Sequence, residues 1–310
     1  MSDWGFVLVP LLVLPIVLLF RFVGCEEPKA EDEIIAGQGF FPYKDTILAE
    51  PDVIGYWRLV DEPTATVAKD EKNFQNGEYK TVPAPGLPPE EPNSTFPGSE
   101  AASGGFSPHD SLFPFESIKC RIFNGGYVLV PFKPGLYTDE FTIEAWIKPQ
   151  WTQHEKYEHT LVDAHGHYQK LSETSPSWHG FRIFANRENR WQVYLAPVGV
   201  VEMKAAPQIK PGAATMHLAV TVKSDPAIAA KKHVIIFIDG KIFGLGTTNI
   251  YSPPDEAPLF IGVSNTESNP SNPPKPRHPV LSPIQEVVLY RKALSPEVIK
   301  KHHDAGKGVA

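Results

Sequence analysis

Several groups of residues in this chain have types and spacings that could do chemistry. Asp70, Asn73 and Asn76 lie close together and carry side-chain oxygens, the donors that calcium collects six to eight at a time. Asp163-Ala-His-Gly-His167 sets an acid and two imidazoles at alternate positions, with His154, His159 and His179 nearby. Acid and imidazole at such spacing suit a transition metal. Trp151, Trp178 and Trp191 each offer a ring on which a sugar or a partner could stack. Glu140 and Glu144 share the parity of one strand. Glycoside hydrolysis needs two carboxylates facing one sugar bond, roughly 5–9 Å apart. Cys25 follows Phe22-Val-Gly, the place of a lipidated cysteine.

Plainer roles stand beside each of these. Asp and Asn are turn formers, so the Asp70 loop could be built for backbone geometry alone, with calcium the candidate cofactor. No second histidine pair follows at a ligand spacing, so the histidines read as a polar loop at a sheet rim. Glu140 and Glu144 bracket an apolar strand without a middle acid and read as solvated strand edges. The tryptophans could equally be core or rim aromatics. No Ser-His-Asp pattern, nucleophile elbow or phosphate-cradling glycine loop is present, so no catalytic residue is assigned.

The elements that would position these residues are strands. Phe141, Ile143, Ala145 and Ile147 alternate with Thr142, Glu144 and Trp146, the period of a strand with one buried face. Similar short runs occur at 53–59, 120–131, 159–164, 180–184, 191–195, 200–204, 216–222, 234–244, 258–263 and 284–294. Asn124-Gly125 reads as a tight turn between two strands. Asn186 to Asn189 reads as the loop of a hairpin. Asp239-Gly240 predicts a type I′ hairpin. Ser295 and Pro296 predict the start of a short helix, and Gly306 its cap. The 32 prolines and 23 glycines among 310 residues also favour turns over helices. The pattern predicts an all-β, antiparallel two-sheet sandwich.

Residues 1–24 read as a transmembrane anchor or signal segment, because residues 4–20 carry no charge and would span about 25 Å as a helix. Residues 25–44 read as an acidic linker, and 45–308 as the folded domain. Two proline-rich inserts interrupt it, at 81–119 and 264–283. A net charge of −7 excludes an electrostatic footprint for nucleic acid. Cys25 and Cys120 are the only cysteines, so there is no disulfide framework, though a single bridge between them remains open.

Phe-Thr-Ile-Glu-Ala-Trp-Ile at 141–147 resembles the central strand of laminin-G-like, concanavalin A-like jelly-roll domains. Four further segments resemble that family in its order: Tyr56-Trp-Arg-Leu with the Asp70 to Gly77 loop, the 120–131 segment, the Asp239-Gly240 hairpin, and the closing strand and helix. The resemblance runs from about Asp45 to Gly306, minus the inserts. It implies the jelly-roll fold and calcium as the commonest ion. Asn124 and Gln285 stand where the family usually has aspartates, which weakens the calcium site. The whole reads as a non-catalytic, membrane-anchored, extracytoplasmic binding or assembly module whose inserts meet protein partners. The alternatives are a lectin-like glycan-binding protein and a degenerate glycoside hydrolase.

Overall fold

The computed structural model describes residues 42–81, 105–151, 158–168, 177–204, 208–210, 212–228, 230–254, 256–265 and 276–309. The proposed anchor, Cys25, His154 and the proline-rich run at 83–97 lie outside them. Among the described residues no helix is long and apolar enough to cross a membrane.

Helix α1 (Pro42–Leu48) leads into β1 (Val53–Trp57), β2 (Val67–Ala68), β3 (Gly77–Thr81) and β4 (Gly105–Asp110). Next come β5 (Lys119–Asn124), β6 (Gly126–Val130), β7 (Phe141–Ile147) and β8 (His159–Asp163). A ribbon, β9 (Gly166–Tyr168) with β10 (Ser177–His179), precedes β11 (Phe181–Ala185), β12 (Trp191–Leu195) and β13 (Gly199–Val200). The long strands β14 (Met216–Ser224), β15 (Lys232–Ile238) and β16 (Lys241–Thr248) follow. The chain closes with β17 (Leu259–Ile261), β18 (Ser264–Asn265), β19 (Pro276–Arg277), β20 (Pro283–Tyr290) and α2 (Pro296–Gly306).

Two antiparallel sheets form the sandwich. The first runs β16-β15-β14-β7-β20-β5-β4, with β1 on the far part of β20; the second runs β13-β12-β11-β8-β17-β6-β3-β2. Phe141, Ile143, Ala145 and Ile147 are buried together between the sheets, with Leu218, Val220 and Val222 of β14 and Ile183, Val193 and Leu195 opposite. Asp239 (φ 49°) and Gly240 (φ 71°) both take the left-handed backbone that a type I′ turn requires.

The outer face of β7 departs from expectation. Thr142, Glu144 and Trp146 are buried as completely as the inner row. A second apolar cluster covers them, built from Tyr43 and Ile47 of α1, Leu112 and Phe113, Phe237, Tyr290 and Ile299 of α2. Two boundaries move as a result. Tyr43 belongs to the domain and not to the linker, and residues 105–119 belong to the fold and not to an insert. Pro108 is compatible with β4 because β4 is an edge strand. The second insert likewise contains β18, β19 and the buried Val280 and Ser282.

The turn at Asn124-Gly125 also differs from the hairpin expected. β5 pairs with β4 and β20 in the first sheet, while β6 pairs with β3 and β17 in the second, so the chain changes sheet there. At the other end, α2 begins as predicted, with Ser295 accepting from Val298 N–H. It runs through Gly306, however, and the left-handed residue beyond it is Gly308 (φ 67°). Gly306 is needed for closeness: a Cβ there would lie 2.2 Å from the Trp146 ring.

Candidate functional site: an aromatic platform on the second sheet

Side-chain parity decides what the second sheet shows to solvent. On β11, Phe181, Ile183 and Ala185 enter the core, leaving Arg182 and Phe184 on the outer side, where Phe184 is itself buried. On β12, Trp191, Val193 and Leu195 enter, leaving Gln192 and Tyr194 outward. The hairpin register sets Arg182 opposite Tyr194, and Asp163 of β8 opposite Arg182.

Three rings meet at this place. His165, just after β8, lies 5.6 Å from the Trp178 ring in a stacked arrangement and 5.2 Å from Tyr194. Asp163 fixes His165: one carboxylate oxygen accepts its main-chain N–H at 2.7 Å and faces its Nδ1 at 2.5 Å. Trp178 is 38% exposed, while Asp163 is fully buried. Burial pushes the Tyr194 hydroxyl above its ordinary value against the pull of Arg182, with Asp163 adding to the rise, so the group stays a neutral donor. Arg182 itself lies flat over Phe184 at 3.9 Å and donates to Glu158 at 2.8 Å. Val198 and Val200, both more than half exposed, continue the apolar surface beside Tyr194. An exposed indole stacked on a fixed imidazole, with a phenol on the same imidazole, offers what a pyranose or furanose needs: an apolar face to stack on and a polar group for its hydroxyls.

The other candidate residues scatter. Trp151 and Trp191 are buried in the core, 6.1 Å apart edge to face, with His159 stacked on Trp151 at 4.5 Å. His179 is buried and its Nδ1 lies 2.7 Å from Ser252 Oγ. The side chain of His167 lies outside what is described. Among the described residues no group of three His, Cys, Asp or Glu is placed to hold a metal ion.

Asp70 is fully buried, and its carboxylate accepts four main-chain N–H groups. Tyr56 and Lys72 donate to one oxygen at 2.8 and 2.9 Å, and Phe74 and Gln75 to the other at 2.7 and 2.9 Å. A carboxylate has about four lone-pair directions, so a calcium ion would have to displace these donors. Asn76 accepts from Asp70 N–H at 2.9 Å, and Asn73 takes a left-handed backbone (φ 54°). Asn124 donates instead to Ser107 Oγ at 3.0 Å.

Gln285 has a different task. Its oxygen accepts from Leu112 N–H at 2.8 Å while its nitrogen donates to Glu116 at 3.1 Å. An aspartate could not donate, which accounts for an amide here. A bulge in β20 puts Gln285 and the left-handed Glu286 (φ 59°) on the same outer side. Glu286 receives Arg58 Nε at 3.0 Å and the Tyr56 hydroxyl, and Arg58 reaches Glu116 at 3.0 Å. Burial works against charge on Arg58, but Glu286 outweighs it and holds the guanidinium more firmly protonated than usual.

Glu144 is no solvated edge. It is fully buried, facing His302 Nδ1 at 3.0 Å, His217 Nε2 at 3.3 Å and the Tyr43 hydroxyl at 3.5 Å. Glu140 is half-buried and accepts from Ser224 N–H at 2.9 Å. Cys120 is a free, buried thiol pushed up to about 12 chiefly by burial.

Arg182, Tyr194 and Glu158 did not stand out in the sequence. Parity along β11 and β12 marks the first two as outward-facing, but nothing local marks them as neighbours of His165 and Trp178.

The family model described as the concanavalin A-like lectin/glucanases superfamily matches residues 124–300. No curated protein matches the chain. Among solved structures, it is similar to domain 4 of AbnA, an extracellular arabinanase of Geobacillus stearothermophilus, in complex with arabinotriose. That match has 16% identity and a TM-score of 0.49, and covers 81% of this chain and 98% of that one. The binding domain of Paraclostridial Mosquitocidal Protein 1 matches at 12% identity and TM-score 0.49, over 82% of this chain and 52% of that one. The sialidase of Trypanosoma rangeli matches at 13% identity and TM-score 0.47, over 82% of this chain and 33% of that one. With two antiparallel sheets in a jelly-roll-like sandwich, and a family model covering more than half its length, the chain belongs to the concanavalin A-like lectin/glucanase superfamily.

Proposed function

We propose that the domain is a non-catalytic glycan-binding module, and that the Trp178–His165–Tyr194 platform is where the sugar sits. The observation that carries this reading is the exposure of Trp178 on a ring whose orientation Asp163 fixes. A preordered aromatic face loses little freedom on binding. Support for the non-catalytic part comes from the carboxylates. Asp163 is buried on His165, Glu158 is salt-bridged to Arg182, and Glu144 lies out of reach of solvent. A hydrolase would need a free pair of acids across the platform. The uncharged run at 4–20 supports attachment to a membrane through residues 4–24, and the likeness to exported domains of this fold, not the run itself, supports placing the sandwich outside the cytoplasm. Protein partners of a membrane assembly would then meet the proline-rich segments.

Affinity electrophoresis through gels containing soluble arabinan, xylan, mannan or β-glucan tests the reading. Wild-type protein should be retarded in at least one gel, and Trp178→Ala should weaken that retardation about tenfold. No retardation of the wild type in any gel, or equal retardation of the variant, would count against it. Release of reducing ends from the retarding polysaccharide would overturn the non-catalytic part.

A further inference from the structure

Helix α2 is held on the outer cluster by an imidazole caught between two carboxylates. His302 of α2 is fully buried. Its Nδ1 lies 3.0 and 3.1 Å from the two oxygens of Glu144 on β7, and its Nε2 lies 3.5 Å from Oε1 of Glu50, just after α1, an ion-pair distance without a hydrogen bond. A neutral imidazole has one N–H and one lone pair, so it can turn hydrogen to only one of these acids. Only the imidazolium presents N–H to both. We propose that α2 is a pH-governed latch, docked while His302 carries its second proton and released from the outer cluster as rising pH removes that proton.

The surroundings concentrate this dependence on His302. From β14, His217 Nε2 faces Glu144 at 3.3 Å; from α1, the Tyr43 hydroxyl lies 3.5 Å from the same acid. From β20, the Tyr290 hydroxyl lies 3.5 Å from His302 Nδ1, and Glu286 adds negative charge near Tyr43. Lys301 reaches Glu50 at 3.4 Å. His303 faces Asp304 at 3.1 Å and Asp239 of the β15–β16 turn at 4.0 Å, and Lys307 sits over the Trp146 ring at 5.3 Å. Within ion-pair distance Glu144 meets only the imidazoles of His302 and His217 among the described residues, and of these two His302 alone also faces a second carboxylate.

Burial works against the charge on His302, but Glu144 and then Glu50 outweigh it and raise its proton affinity above the ordinary 6.5. A raised folded-state value means the stabilisation is complete below about 6.5 and is lost as pH rises through the folded value. Deprotonation leaves the fully buried Glu144 facing a neutral ring, a costly arrangement, while Glu50 keeps Lys301 and some solvent. Release would uncover Trp146, on which Gly306 rests.

Amide hydrogen exchange of the full chain at about pH 6 and about pH 9, corrected for intrinsic rates, tests the latch. Amides of residues 297–306 should lose at least tenfold protection relative to β7 and β14 at the higher pH. His302→Gln, which cannot gain a second proton, should show low helix protection at both pH values. His303→Gln should keep the wild-type dependence. A wild-type helix whose protection stays in constant ratio to the strands overturns the proposal, even if His302→Gln fails to fold. So does a folded His302→Gln protein that keeps the pH dependence.

Discussion

The two sheets share one core but use their outward faces differently. The first sheet carries α1, α2 and the 111–118 loop, and under them lie Glu144, Glu286, Arg58 and His302, all buried and mutually paired. The second sheet, with the β9–β10 ribbon beside it, leaves Trp178, Val198 and Val200 exposed around Tyr194. Polar groups on the covered face serve cohesion, since each buried charge must find a partner. Polar groups on the open face are held in place yet partly solvated, the condition for meeting a ligand. On this account a substitution on one face should move stability and spare binding, and on the other the reverse.

The sharpest break would come at Arg58. Arg58→Ala leaves Glu286 and Glu116 buried without their cation and should cost about 3–5 kcal/mol in urea unfolding, with glycan retardation unchanged. Acid should act on the same face. Burial alone would raise Glu144, but His302 and His217 outweigh it and hold it down, from 4.5 to about 2. A depressed value contributes stability that is present above about 4.5 and lost as pH falls toward about 2, of order 3 kcal/mol. Glu144→Gln should flatten that part of the pH–stability curve. Gly306→Ala must push a methyl into Trp146 and should cost about 1–3 kcal/mol, read as a lowered thermal midpoint. Trp178→Ala should change stability least, within about 0.5 kcal/mol, while weakening glycan retardation about tenfold.

The inner core was legible because a strand's period of two is local. The Phe141 to Ile147 row, the Asp239-Gly240 turn and the Ser295 cap all follow from neighbouring residues. What was not legible depends on distant partners. Asn124-Gly125 has the chemistry of a hairpin turn, but β5 finds β20, more than 150 residues away in sequence. Glu144 looks like an edge acid until α2, at the other end of the chain, sets His302 on it. Of the three tryptophans only Trp178 faces solvent, and the difference lies in packing rather than in residue type. The platform was half legible: the Asp163-Ala-His motif and Trp178 were visible, but Tyr194 and Arg182 join them only through sheet register.

If the domain binds glycan as proposed, the sugar meets Trp178 on the β9–β10 ribbon. Of six tryptophans, Trp57, Trp146, Trp151 and Trp191 are buried and Trp178 is exposed, so the indole N–H resonances distinguish the faces. The direct measurement is a titration of the ¹⁵N-labelled protein with arabino-, xylo-, manno- and cello-oligosaccharides, followed at those resonances. At least one oligosaccharide should shift the Trp178 indole saturably, with the Trp146, Trp151 and Trp191 signals unmoved. No saturable shift at Trp178 with any of them, or saturation seen only at another surface, would contradict it.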